Sequence, residues 1–181
     1  MKKTIFTLMT IVALVMCGCE KDDNNPNSDN NTPVISVTPY LGTYLMTRHS
    51  DLTITALNMF SFPLDRDFNV ERVTVKEDPN VEHGIIMTST DGMYLRGVVD
   101  TNGLRLQNDT VNLAIDTTVG AFPINASVNI TMVHPIIPTP VNGKMEWTST
   151  ASGTLTIPVM GVPLSATITG NMRYKSILST K

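Results

Sequence analysis

Histidine and acidic side chains are the residues of this chain that could support metal or acid–base chemistry. The histidines are His49, His83 and His134, and no two of them have the i, i+2 or i, i+4 spacing that places metal ligands on one face. The tightest acidic groups are Asp65-Arg66-Asp67 and Glu77-Asp78. Paired carboxylates can hydrolyse glycosides, but both groups fall where the sequence predicts solvated turns. We therefore expect no metal site and no acid–base pair.

Nucleophilic catalysis is not indicated either. The sequence has no Gly-x-Ser-x-Gly segment, the pattern that exposes a catalytic serine between a strand and a helix. His134 precedes Pro135 in a proline-rich loop, so we expect its side chain and this loop at the surface. The sequence predicts a protein without catalytic activity and without a cofactor.

Side chains that could line a ligand pocket are more numerous. Trp147 is the only tryptophan and shares the inward phase of a predicted strand with Met145, while Met93 and Met132 are inward in theirs. An aromatic ring can stack on a ligand and flexible thioethers can line an adaptable apolar pocket, but both also fill ordinary cores. We predict these four residues as candidate ligand contacts, with core packing as the alternative, which is favoured for Trp147.

The elements that must position these side chains are β-strands. Apolar and polar residues alternate with period two, as in 126–132 and 164–168, and turn signals such as Asp91-Gly92 and Asn142-Gly143 separate the runs. The alternation predicts an all-β, antiparallel meander of about eight to ten strands, closed as a barrel or, alternatively, folded as a β-sandwich. The predicted strands are 40–48, 52–60, 69–77, 84–90, 93–99, 103–107, 110–117, 122–133, 143–157 and 162–176, with a bulge near Leu57.

The first residues of the chain have the features of an export signal. Lys2 and Lys3 precede an apolar stretch, Ile5 to Met16, that is interrupted only by two threonines. This stretch is shorter than the roughly 20 apolar residues that a transmembrane helix needs, and it is typical of a signal peptide.

Two cysteines follow, and Cys19 is the better candidate for lipid attachment. Gly18 before Cys19 is small, whereas bulky Met16 stands before Cys17. Gly18-Cys19 resembles the lipobox of bacterial lipoproteins, in which the thiol is diacylated and the preceding segment is removed. The alternative is an ordinary secretory signal with two incidental cysteines.

The chain therefore divides into a signal peptide (1–18), an acylated cysteine with a flexible linker (19–33) and a single β domain (34–181). After cleavage the chain would contain 11 Lys and Arg and 16 Asp and Glu, an acidic balance that argues against nucleic acid as a partner.

Glu20-Lys21-Asp22-Asp23 resembles the tag that follows the acylated cysteine of surface-exported lipoproteins. We expect an outer-membrane anchor with the domain at the cell surface; a periplasm-facing tether is the alternative.

The start of the domain carries a family resemblance. Tyr40-Leu41-Gly42-Thr43-Tyr44 opens the predicted meander after an Asn-rich spacer. This arrangement resembles the calycin-like lipoproteins of Gram-negative gut bacteria, with Gly42-Thr43-Tyr44 where lipocalin barrels have Gly-x-Trp. The resemblance implies a lipocalin-like barrel, and no ligand residue of that family matches here individually.

These observations favour a lipid-anchored binding module for a small apolar ligand or a glycan fragment, held without covalent chemistry. The alternative is a structural or assembly role, as an accessory lipoprotein of an outer-membrane complex.

Overall fold

The computed structural model describes residues 33–57, 60–119, 122–159 and 162–180. The predicted signal peptide, Cys19 and the linker up to Thr32 lie outside the described residues. Within the described ranges every regular element is a β-strand, apart from a 3₁₀ turn at Thr38–Tyr40. No helix in these ranges has the length and apolar character that a membrane crossing requires.

The described residues form eleven strands whose side chains alternate between a buried and an exposed face. The strands are Gly42–Ala56 (β1), Phe60–Asp67 (β2), Glu71–Glu77 (β3), Gly84–Ser89 (β4), Tyr94–Asp100 (β5), Gly103–Leu106 (β6), Asp109–Val119 (β7), Phe122–Val133 (β8), Ile136–Ile137 (β9), Lys144–Val159 (β10) and Val162–Thr180 (β11).

All eleven strands belong to one antiparallel sheet, with the order β7-β8-β10-β11-β1-β3-β4-β5-β6-β9 and with β2 paired to β1. The sheet curls into a half-barrel, which confirms the predicted all-β antiparallel fold. A sandwich needs two facing sheets, whereas the described strands form a single one. The first and last strands, β1 and β11, are neighbours in the middle of this order, so the two ends of the domain are paired with each other.

Strand β1 corrects the prediction of two strands at 40–48 and 52–60. It runs without a break from Gly42 to Ala56. Polar Arg48 and Ser50 lie at or within the predicted gap between these strands. Ser50 is nevertheless buried, and its hydroxyl donates to the backbone oxygen of Arg66 at 3.3 Å. A polar residue at an inward position therefore does not end this strand, because its hydrogen bond is made inside the fold.

The turn after β1 is a second correction. Leu57 was predicted to lie within a bulged strand, but it is exposed and has a left-handed backbone with φ of 53°. Strand β2 follows and contains Asp65 and Asp67, which were predicted to lie in a turn.

The core lies on the inner face of the curled sheet. Most inward positions predicted from the alternation are buried, including Val128, Ile130 and Met132 of β8 and Ala166 and Ile168 of β11. The proline-rich loop after β8 departs from its predicted exposure, because Ile137 is fully buried and pairs with Leu104 of β6.

Charges are unevenly distributed along this sheet. Three stretches of the chain contain no Asp, Glu, Lys or Arg, although these types make up 16% of all residues. The stretches are 52–64, 117–143 and 147–172. The three stretches include the turn-side ends of the β1–β2, β7–β8 and β10–β11 hairpins, which lie on neighbouring strands at one end of the sheet. The charged side chains of the described residues are therefore concentrated toward the other end.

Candidate functional site

A cavity of about 460 Å³ lies inside the curled sheet, and we call it the interior cavity. It is bounded by β1, β3, β5, β7, β8 and β11 together with the β4–β5 turn, so it brings together strands that are far apart in the sheet order. Apolar side chains that the alternation points inward form one part of its wall, and charged and polar side chains form the rest. Six of the apolar side chains are Leu95, Val111, Leu113, Ile130, Met132 and Met172.

An ion pair lies in one wall of this cavity. Arg48 of β1 pairs with Glu71, the first residue of β3, and the guanidinium also lies 5.0 Å from the centroid of the Phe68 ring. The Glu71 side chain is only 3% exposed. Arg48 Nε and Glu71 Oε2 are both buried without a hydrogen-bond partner among the described residues. A buried pair with unpaired atoms contributes little to stability, because desolvation offsets the attraction between the charges.

A second polar group in the wall is a carboxylate that is fixed in position by a buried histidine. Asp109 of β7 lines the cavity, and its Oδ1 lies 3.2 Å from Nε2 of His134. The other ring nitrogen, Nδ1, lies 2.7 Å from the Ser149 hydroxyl. One ring proton satisfies both contacts, since Nε2–H can donate to Asp109 while Nδ1 accepts from Ser149. The His134 side chain is fully buried, so its predicted surface position was wrong.

These three residues are of the types found in hydrolase triads, but their order relative to the cavity is reversed. A nucleophilic serine must reach the substrate, with the carboxylate behind the histidine. Ser149 is fully buried and does not line the cavity, whereas Asp109 does. The arrangement therefore presents a positioned carboxylate to the cavity rather than a nucleophile.

Tyr174 of β11 completes the polar part of the wall. Its ring stacks on that of Trp147, its direct partner on β10, with centroids 4.6 Å apart and planes inclined by 5°. Burial raises the pKa of the Tyr174 hydroxyl, and the nearby negative charge of Asp109 raises it further. The Tyr174 hydroxyl is therefore held in its protonated form.

The four predicted ligand residues divide into two pairs. Met93 and Met132 line the cavity. Met145 and Trp147 are buried but lie outside its lining, and Trp147 acts as the support on which Tyr174 stacks. Sequence reasoning missed the polar groups of the wall, although Asp109 and His134 continue the inward phases of β7 and β8.

The acidic groups considered from sequence have other partners. Asp65 and Asp67 flank the ring of His49, with oxygen–nitrogen distances of 3.3 and 2.8 Å. Asp78 is buried and pairs with Arg96 at 2.9 Å. Among the described residues no group of three or more His, Cys, Asp or Glu side chains is placed to hold a metal ion.

A second hollow, of about 580 Å³, lies against the other side of Arg48 and Phe68, which line both spaces. The rest of its lining consists of Thr47, His49, Asp65, Asp67, Arg173 and Lys175. Most of these side chains are exposed, and several pair with each other. The interior cavity is the better candidate site because it combines buried apolar side chains with a few fixed polar groups that can orient a ligand.

No protein-family model matches the chain, and no curated protein matches it. The functional argument therefore rests on the residues of the interior cavity.

Proposed function

We propose that this protein is a lipid-anchored binding module of the cell envelope that takes a small apolar or amphipathic ligand into the interior cavity without covalent chemistry. The cavity volume of about 460 Å³ is within the range of about 300–1,000 Å³ that is usual for small-molecule sites. The apolar side chains of its wall would supply the affinity.

The observation that carries this proposal is the set of charged groups held in the wall next to its buried apolar side chains. Glu71 is almost fully buried and forms an ion pair with Arg48, and the carboxylate of Asp109 contacts the ring of His134. Apolar residues of similar volume would be equally or more stabilising at such positions. Charges placed where they cost stability favour a role in recognising a ligand.

The anchor and the location rest on the N-terminal sequence. Gly18-Cys19 and the acidic tag after it support acylation of Cys19 and display at the outer surface, as in the calycin-like lipoproteins that the chain resembles. We expect Cys19→Ser to release the protein from the membrane fraction, whereas Cys17→Ser should not. Proteinase applied to intact cells should remove the domain; protection until lysis would indicate the periplasm-facing alternative.

The binding role is tested with a neutral fluorescent probe such as Nile red. We expect saturable binding to the wild type and at least tenfold weaker binding to Val111→Trp, whose new ring would fill the cavity. Ala114→Trp is the matched control, since Ala114 lies on the exposed face of the same strand. Absence of saturable binding to the wild type would contradict the proposal and favour the structural or assembly role.

A further inference from the structure

The charges that line the interior cavity do not balance. The lining contains one cationic side chain, Arg48, and three carboxylates, Glu71, Asp91 and Asp109. Glu71 already neutralises Arg48 through their ion pair. Two carboxylates, Asp91 and Asp109, therefore line the cavity without a Lys or Arg partner of their own in this lining.

Asp109 is the better placed of the two to meet a ligand. Its side chain is 26% exposed, so it is accessible, yet its position is fixed by His134. The contact with His134 uses Oδ1, which leaves the lone pairs of Oδ2 for a donor. Asp91 lies in the exposed turn between β4 and β5, where it adds negative potential at the rim.

Two further observations concern the polar atoms of this wall. Glu71 Oε2 and Arg48 Nε are both buried without a hydrogen-bond partner among the described residues, so the ion pair leaves one acceptor and one donor for a ligand. The pKa of Tyr174 is raised by burial first and then by the negative charge of Asp109, which outweighs the opposite effect of Arg48. The negative charge of Asp109 therefore acts at the Tyr174 hydroxyl, inside the cavity lining.

The geometry points to a ligand class: an amphipathic amine, with a protonated amino head at Asp109 and an apolar body along Leu113, Ile130 and Met132. This inference rests on the proposed binding function. An ammonium group donates charge-assisted hydrogen bonds to carboxylates, which are stronger than neutral ones. A ligand carboxylate would be repelled by Asp109 and would have to displace Glu71 from Arg48.

The test compares three ligands that share one alkyl chain and differ in the head group: octylamine, octan-1-ol and octanoate. The protein is the full chain carrying Cys17→Ser and Cys19→Ser, to which no lipid can be attached, and binding is measured by titration calorimetry near neutral pH. We expect octylamine to bind at least about tenfold more tightly than octanol, which corresponds to one charge-assisted hydrogen bond. Octanoate should bind most weakly.

Two substitutions locate the selectivity. Asp109→Asn keeps the size of the side chain and removes its charge, so it should reduce the preference for octylamine over octanol to about twofold or less. Asp116→Asn makes the same change on the exposed face of β7 and should leave the preference unchanged. Asp109→Glu, which keeps the charge, should retain most of it. Circular dichroism checks that each variant is folded.

The outcomes separate the inference from the function on which it rests. If none of the three ligands binds the wild type, and the neutral fluorescent probe does not bind either, the proposed function fails. If octanol binds as tightly as octylamine, or octanoate binds most tightly, the binding function stands and the amine inference is overturned. If Asp109→Asn does not fold, the comparison of the three ligands on the wild type still tests the amine inference.

Discussion

Replacing Trp147 tests whether the stacked pair behind the interior cavity supports the core. Trp147 is 6% exposed, and burying a ring of this type removes about 150–250 Å² from water, worth about 4–6 kcal/mol. Its indole nitrogen is buried without a hydrogen-bond partner among the described residues, which subtracts about 1–2 kcal/mol. We therefore expect Trp147→Ala to lower the free energy of unfolding by about 2–5 kcal/mol.

Trp147→Phe separates the contribution of the stacked ring from that of the unpaired indole N–H. The phenyl ring keeps most of the stack on Tyr174, and the donor without a partner is removed. The lost area costs about 1–2 kcal/mol, and the relieved desolvation offsets a similar amount. The free energy of unfolding should therefore change by no more than about 1 kcal/mol.

Urea unfolding followed by far-UV circular dichroism measures both variants, because Trp147 is the only tryptophan and its replacement abolishes tryptophan fluorescence. Tyr94→Ala is the control: Tyr94 is 56% exposed, and its loss should change the free energy of unfolding by about 0.5 kcal/mol or less. A cost for Trp147→Ala below about 1 kcal/mol would refute the core role. A cost for Trp147→Phe equal to that of Trp147→Ala would show that the indole N–H has a partner.

Two further substitutions test other parts of the fold. Gly170 has φ of 149°, and a Cβ there would lie 2.8 Å from Cα of Leu52, so Gly170→Ala should cost about 3 kcal/mol or more in urea unfolding. Gly92→Ala, at φ of 90° with open space around it, should cost clearly less; equal costs would show that strain and not the clash is responsible. Burial raises the pKa of Tyr174 above its ordinary value of 10.0, so the unfolded chain loses this proton first and stability should fall as the pH rises past about 10. Tyr174→Phe should reduce this loss of stability at alkaline pH, whereas Tyr94→Phe, at an exposed position, should not. Identical plots of stability against pH for the wild type and Tyr174→Phe would contradict the raised pKa of Tyr174.

The alternation of apolar and polar residues was sufficient to predict the fold class and most of the core. In β8, for example, Val128, Ile130 and Met132 are buried as predicted, because a strand places alternate side chains on one face and only that face meets the core. The two methionines in the cavity lining, Met93 and Met132, were found in the same way.

The polar part of the candidate site was missed because inward positions were judged by apolarity. Asp109, His134 and Ser149 all continue the inward phase of their strands, but a polar residue at such a position looks like a loop or surface residue until its partners are known. Those partners lie 25 and 15 residues apart in the sequence and meet only through strand pairing. Pairing between distant strands is set by the whole sheet, and no local pattern predicts it.

The charge-free hairpin ends also determine how the molecule responds to ionic strength. Salt screens interactions between charged groups, and the stretches that include these ends contain no Asp, Glu, Lys or Arg. A change in salt concentration will therefore act mainly on the ion-paired strands β3 and β5. The hairpin ends depend on buried apolar area and backbone hydrogen bonds, so heat or urea will open them and salt will have little effect.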